Sequence, residues 1–406
     1  MKPVEQRNAT GAQLPAWGAV FSLTLGVFSL ITAEFLPASL LTPMAESLGV
    51  NEGVTGQAVT MTAAVALVTS LLGVSATRHI DRRRVLLALS LLLVVSNLLV
   101  AFAPQLSFVL AGRVLLGVAI GGFWTLSAAT AMRLVPPAQV ARALSLIYSG
   151  GSLATIAAAP LGSYFGELIG WRNVFLLAAA FGTLTLIWQL VTLPAMAPDA
   201  SGNAGHFFRL MKRRSIQLAM GAVLLVFSGH FAFFTYLRPF LEQVTGAGAQ
   251  QLSLVLLAFG VANVAGTMLA GMLLARNLQL MLILMPLVMG ALGIGLALLG
   301  SSLVTDTVLI ALWGMAFGGV PVSWSTWVTR TMPDDAESGG GLLVAAVQLA
   351  ITLGAAAGGV IFTLGGIKQV FLVSGVVLLV AALTIFTALR PRAEAAARQD
   401  TEKSLY

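Results

Sequence analysis

The sequence predicts an all-α membrane protein, with twelve transmembrane helices in two pseudo-symmetric halves of six. Three observations carry that expectation. First, 58% of the 406 residues are hydrophobic and only 9% are charged, whereas about a quarter of the residues in a soluble domain are charged. One aqueous core could not hide so much apolar surface, so the bilayer must be the solvent. Second, the chain divides into apolar runs close to the roughly 20 residues that a spanning helix needs. Third, one long polar joint, "PAMAPDASGNAGHFFRLMKRRS" at 194–215, splits those runs six and six.

The first span, 17–41, follows a polar segment, "MKPVEQRNATGAQLPAW". That segment lacks the short apolar core and small-residue cleavage site of a secretory signal. Spans 54–76 and 85–103 flank the charged joint "RHIDRRR". The joint "APQLS" leads to the fourth span, 107–132, and spans 143–164 and 173–193 complete the first six. The second six are 216–239, 252–274, 280–300, 307–329, 339–363 and 370–389, with "ARNLQ" joining the second and third of them. Joints this short force neighbouring helices to run antiparallel. The expected organisation is a half at 1–193, a linker at 194–215, a half at 216–389 and a tail at 390–406. Self-similarity supports a duplication. "EFLPASL" in the first span matches "YLRPFLE" in the seventh, and "GGFW" in the fourth matches "GGVPVSW" in the tenth. Parallel six-span repeats with a binding site between them are a transporter plan.

Charge sets the orientation. With both termini on one side, that side holds eighteen of the 22 Lys and Arg residues, including Arg82, Arg83, Arg84, Lys212, Arg213 and Arg214. The other side holds Arg172, Arg238 and Lys368, while Arg113 lies within a span. The excess predicts cytoplasmic termini by the positive-inside rule. The expected location is the inner (plasma) membrane, as a multi-pass protein and a monomer.

Composition also excludes several functions. There is no cysteine, and His79, His206 and His230 are scattered, so neither a disulfide framework nor a zinc site is expected. The basic residues sit in short joints instead of forming one face, which speaks against nucleic acid as a partner. No span carries a catalytic cluster, so an enzyme is not expected. No G-x-x-x-x-G-K-[ST] loop is present to drive a primary pump. A receptor would ordinarily carry larger parts outside the membrane.

Glu34 is the acidic residue clearly internal to a span. A carboxylate there is expected to be protonated, paired or wet, and intramembrane acids are usually functional. It reads as a proton carrier or as a side chain that snorkels to the headgroups. Arg113 stays charged at any relevant pH. It either holds Glu34 ionised in one conformation and releases it in another, or serves as a structural cation on the carbonyls of neighbouring helices. In the seventh span, "FSGHFAFFTYLRP", His230 and Phe234 share a face and, with Tyr236, offer aromatic planes and a hydroxyl to a substrate. The alternatives are a helix–helix hydrogen bond for His230 and plain packing for the phenylalanines. In the tenth span, Pro321 interrupts the helix beside Gly318 and Gly319. Ser323 and Trp324 follow, about 9 Å from the helix end at Arg330, which is deep for an aromatic belt. Trp124, Ser127, Asn263 and Gln348 form a second tier of candidate substrate contacts.

The motifs resemble the major facilitator superfamily over essentially the whole chain. "AGRVLLGVAIGG" resembles its fourth-span motif, and "AAAPLGSYFG" is similar to the fifth-span motif of its proton antiporters, with Pro160, Gly162 and Gly166 in place and Ala159 where glycine is preferred. The joint "GVSATRHIDRRRVL" departs from the family pattern, because Thr77 stands where an aspartate is usual. Asp81, Arg82 and Arg83 remain there as a charged cluster, which the resemblance implies is a conformational latch. Within the superfamily's drug/metabolite:proton antiporters, the chain resembles most closely the exporters of purine ribonucleosides. The matching stretches are "EFLPASLLTPMA", "GGFWTLSAATAMRLVPP", "LGSYFGELIGWRNVF", "FAFFTYLRP" and "PVSWSTWVTR". The resemblance implies alternating-access export of inosine or guanosine against protons, with no cofactor other than the coupling proton, and a coupling role for Glu34 and Arg113. Sugar and multidrug antiporters of the same fold are the alternative.

Overall fold

The computed structural model describes residues 15–77, 79–136, 139–198, 212–273, 277–300, 302–332 and 336–388. Helix is the regular secondary structure among them. The N-terminal half holds α1 (Trp17–Ser39), α2 (Leu41–Leu48), α3 (Glu52–Thr55), α4 (Gln57–Thr77), α5 (Arg82–Ala101), α6 (Leu106–Leu134), α7 (Val140–Ile169) and α8 (Trp171–Thr192). The C-terminal half holds α9 (Arg214–Thr235), α10 (Leu237–Gln243), α11 (Ala249–Leu273), α12 (Leu278–Leu299), α13 (Leu303–Thr331), α14 (Ala336–Gly365) and α15 (Ile367–Ala388). Twelve of these helices are long and apolar enough to cross a membrane. Trp17 and Ala388 mark one end of the bundle, and the opposite end is called distal below.

Two spans differ from their sequence reading. The run 17–41 breaks at Leu40, three residues after Pro37, and the chain continues as α2. The run 216–239 breaks at Tyr236, and Pro239 lies in the first turn of α10. Proline removes an N–H and clashes with the carbonyl four residues back, so both helices bend where the repeat placed matching prolines. A third difference concerns α13, which begins at Leu303 and therefore takes in Asp306, a residue just outside the expected span 307–329.

The two halves repeat one packing scheme. In the first, α1 packs on α7, α4 on α6 and α5 on α8; in the second, α9 packs on α14, α11 on α13 and α12 on α15. Small residues allow the closest of these approaches. A Cβ added at Gly117 of α6 would lie 2.6 Å from the Thr62 carbonyl of α4, and one at Gly314 of α13 would lie 2.5 Å from the Phe259 carbonyl of α11. The halves meet along α4 with α14 and α7 with α11.

Candidate functional site

The site grows from the proline in α1. In a regular helix the Ala33 carbonyl would accept from the N–H four residues on, but that residue is Pro37, which has none. An unsatisfied carbonyl in a dry membrane interior costs several kcal/mol. Arg113 of α6 supplies the missing donors: its Nη1 and Nη2 both donate to the Ala33 oxygen, at 2.9 and 3.0 Å. The guanidinium is fully buried, lies 5.4 Å from the Phe175 ring centre, and keeps its Nε–H without an acceptor.

Glu34 is the next residue after that carbonyl. Its side chain is half-buried, and the Arg113 charge acts on it. The two are not an ion pair, because the fork of Arg113 is occupied by backbone. Among the described residues, no hydrogen bond holds the Glu34 carboxylate. Two residues earlier, the Thr32 hydroxyl is buried and has no partner among the described residues. The arrangement is a half-buried carboxyl group, without a hydrogen bond among the described residues, beside a fixed cation.

Glu34 adjoins the boundary between the halves through Phe35, whose ring stands 5.4 Å from Phe234 of α9. Phe234 in turn stacks at 5.8 Å on His230. His230 lies deeper, in an aromatic stack: its ring is 3.3 Å from that of Phe317 and nearly parallel to it. The Trp313 indole N–H donates to His230 Nδ1 at 3.1 Å. That bond fixes the imidazole tautomer with the proton on Nε2. Trp313 and Phe317, both on α13, were not singled out from the sequence. An aromatic residue in an apolar run looks the same whether it packs or binds. Tyr236 is also buried, and its hydroxyl donates to the Ala355 carbonyl at 3.1 Å and reaches the Gly53 carbonyl at 3.4 Å. It therefore joins α9 to α14 and to α3 of the other half.

The tenth-span residues are spread along α13. Trp324 is buried edge-on to Trp327 at 6.0 Å. Ser323 donates to the Gly319 carbonyl of its own helix at 2.7 Å. Asn263 of α11 donates to the Gly314 carbonyl at 3.2 Å, which ties α11 to α13. Gln348 of α14 is buried, and its carboxamide makes no hydrogen bond among the described residues. Trp124 is half-buried. The Ser127 side chain lies outside the described residues.

The joint before α5 binds the end of α4, α8 and the segment that leaves α8. Asp81 accepts from the Arg83 N–H at 2.8 Å as the N-cap of α5, and from the Met196 N–H at 3.1 Å. The Arg82 N–H donates to the Met196 carbonyl at 3.0 Å, and its guanidinium to Thr77 at 3.2 Å. Arg83 donates to the Leu190 carbonyl at 2.7 Å. The cluster thus grips the segment leaving α8 toward the linker. In α7, Gly162 and Gly166, past Pro160, press on α1. A Cβ at Gly162 would lie 2.5 Å from the Ser39 hydroxyl and 2.9 Å from Leu36, and one at Gly166 would meet Leu40.

At the distal end, a guanidinium–carboxylate pair within α10 reaches across to the other half. Arg238 Nε donates to Glu242 Oε1 at 2.8 Å, and Arg238 Nη1 donates to the Ser39 carbonyl at 2.6 Å. The Thr42 hydroxyl donates to Glu242 Oε2 at 2.5 Å. Asp306 is fully buried, accepts from Thr245 at 2.7 Å and has its second oxygen unpartnered.

Comparison with known proteins agrees with this architecture. The Major Facilitator Superfamily profile matches residues 23–340. The chain is 46% identical over 381 residues to the purine ribonucleoside efflux pump NepI of Escherichia coli O6:K15:H31, covering 94% of this chain and 96% of the relative. Its fold is similar to that of a bacterial homolog of the human lysosomal transporter Spinster in an inward-facing, unoccupied conformation. The TM-score is 0.76 at 14% identity, covering 93% of this chain and 98% of the other. A D-xylose–proton symporter gives 0.71 at 15% identity, covering 91% and 97%. The chain belongs to the major facilitator superfamily.

Proposed function

We propose that this protein exports purine ribonucleosides such as inosine and guanosine from the cytoplasm in exchange for protons, by alternating access. The observation that carries the coupling is Glu34: a half-buried carboxyl group with no hydrogen bond among the described residues, next to a carbonyl on which Arg113 is fixed. A proton bound there alters the charge beside Arg113 without dismantling the helix. The likeness to NepI over nearly the whole chain supports nucleosides as the cargo. The aromatic rings of Phe35 and Phe234 at the boundary between the halves suit a purine base.

The excess of Lys and Arg on the Trp17 side supports cytoplasmic termini in a bacterial inner membrane. The distal end is then periplasmic, and the contacts of Arg238 and Tyr236 across the halves close it. The state described is one closed to the outside. The cycle begins as cytoplasmic nucleoside enters between the halves, which then rock to open outward. Protonation of Glu34 from outside favours return. The protein works as a monomer, and the proton is the only coupling species.

The test is inosine transport in proteoliposomes under an imposed pH gradient, with wild type beside Glu34→Gln. Accumulation of inosine against its gradient by wild type alone is the expected result. Transport of a sugar or a lipophilic cation in place of inosine would overturn the cargo. Full coupling in Glu34→Gln would overturn the role of Glu34.

A further inference from the structure

Pro43 does to the Ser39 carbonyl what Pro37 does to that of Ala33. Each proline lies four residues after the carbonyl it leaves without an intrahelical donor. The gap is local, since the Leu40 carbonyl receives the Met44 N–H at 3.0 Å. The substitute donor is again an arginine, this time from the other half: Arg238 Nη1 reaches the Ser39 oxygen at 2.6 Å. Arg238 is itself held by Glu242 one turn on, and the remaining oxygen of Glu242 takes the Thr42 hydroxyl. Two groups of α10 thus grip the short segment where α1 turns into α2.

The two arginines differ in what motion does to them. Arg113 and Ala33 belong to one half and are sealed from solvent, so a rocking of the halves leaves their bond intact. Arg238 and Ser39 belong to opposite halves, so their bond has to break when the distal ends separate. The Glu242 side chain is 24% exposed, which places this cluster at the edge of water. A carbonyl that loses its donor is costly in a dry interior and harmless once hydrated. Separation at Ser39 therefore goes together with water entering the distal end.

We propose that Arg238, fixed by Glu242, is the latch of the distal end, a positioning residue that sets how readily the two halves part there. Its purpose rests on the transporter reading above, though not on the identity of the cargo. Lysine cannot replace it fully, because a point charge cannot fork between a carboxylate and a carbonyl as guanidinium does.

The chain contains no cysteine, so a single Ala38→Cys substitution gives a reporter. Ala38 is buried in a cluster drawn from both halves, just below the latch. The full-length protein in intact cells is treated with a membrane-impermeant maleimide. Labelling of Ala38→Cys alone is slow. Adding Arg238→Gln or Glu242→Gln accelerates it about tenfold or more, the scale of one charge-assisted hydrogen bond, and Arg238→Lys falls between. Glu242→Gln keeps the Arg238 guanidinium and answers the question if Arg238→Gln fails to reach the membrane. Equal labelling rates in every variant that folds would overturn the latch. No substrate is added and the variants are compared in the same cells, so the outcome is independent of the nucleoside reading. Acceleration seen only from the cytoplasmic face of inverted vesicles supports the latch and overturns the orientation.

Discussion

Arg113 and Ala33 are joined by two hydrogen bonds to a single carbonyl oxygen, at 2.9 and 3.0 Å. The Glu34 carboxylate, one residue further on, is left out. The arginine is therefore the substitute for the N–H that Pro37 lacks. This assigns Arg113 a structural task that exists whether or not it also influences a proton. It also makes Pro37 and Arg113 two parts of one device, which a mutant cycle can expose.

Arg113→Gln should lower thermal stability, because the remaining carboxamide cannot reproduce both bonds; charged hydrogen bonds are each worth about 1.5–3 kcal/mol. Pro37→Ala restores an N–H within α1. The double variant should then recover part of the loss, because Ala33 is served from within its own helix. The apparent melting temperature of the purified protein, followed by tryptophan fluorescence, checks this. If Pro37→Ala simply adds its own loss to that of Arg113→Gln, the proline and the arginine are not coupled.

Glu34→Gln should leave stability within about 1 kcal/mol of wild type, since no hydrogen bond is lost. Coupled transport should fall to background in the same variant. The contrast with Arg113→Gln separates a group kept for chemistry from one kept for packing. A large drop in melting temperature for Glu34→Gln would mean that the carboxylate holds the fold.

The sequence disclosed the spans, because they depend on local chemistry. A run of about 20 apolar residues crosses a bilayer wherever it occurs, but the runs holding Pro37 and Pro239 read as unbroken, whereas the structure interrupts them at Leu40 and Tyr236. Partners were less legible. The acceptor of Arg113 is a backbone oxygen eighty positions away, which no side-chain pattern reveals. The family resemblance implies a latch at Asp81, Arg82 and Arg83; among the described residues their bonds run to Thr77 and to the backbone of Leu190 and Met196, partners that the charges alone do not reveal. Asp306 escaped notice because hydropathy places it at the edge of a span, whereas α13 starts one turn earlier and buries it. Edges of apolar runs are where hydropathy says least.

His230 and Trp313 offer a second cycle. His230→Phe can keep the stacking on Phe317 while leaving the Trp313 indole N–H without an acceptor in an apolar core. The expected cost is about 1–3 kcal/mol. Replacing both, with His230→Phe and Trp313→Phe, removes the unpaired donor and should recover much of that cost. Melting temperature measures the stability side, and the KM for inosine measures the other. A KM raised by His230→Phe in a variant whose stability has been recovered would show that the histidine also touches substrate.

Closure at the distal end depends on backbone approach as well as on the Arg238 cluster. A Cβ added at Gly53 would lie 2.6 Å from the Gly359 carbonyl and 2.5 Å from the Thr363 hydroxyl. A Cβ added at Gly359 would lie 2.6 Å from the Gly53 carbonyl. These glycines face each other across the halves, beneath the Tyr236 hydroxyl. Real side chains do not approach backbone this closely, so Gly53→Ala should force the distal end apart while leaving each half intact. Labelling of Ala38→Cys should accelerate in Gly53→Ala, and the melting temperature should change less than in Arg113→Gln, whose partner lies inside one half. Gly49, at a φ of 66° in the turn just before α3, tests something different. Gly49→Ala strains a single turn and leaves the approach of the halves untouched, so it should destabilise slightly without changing the labelling rate. Equal acceleration in both variants would trace the effect to a loosened turn instead of a pried-open closure.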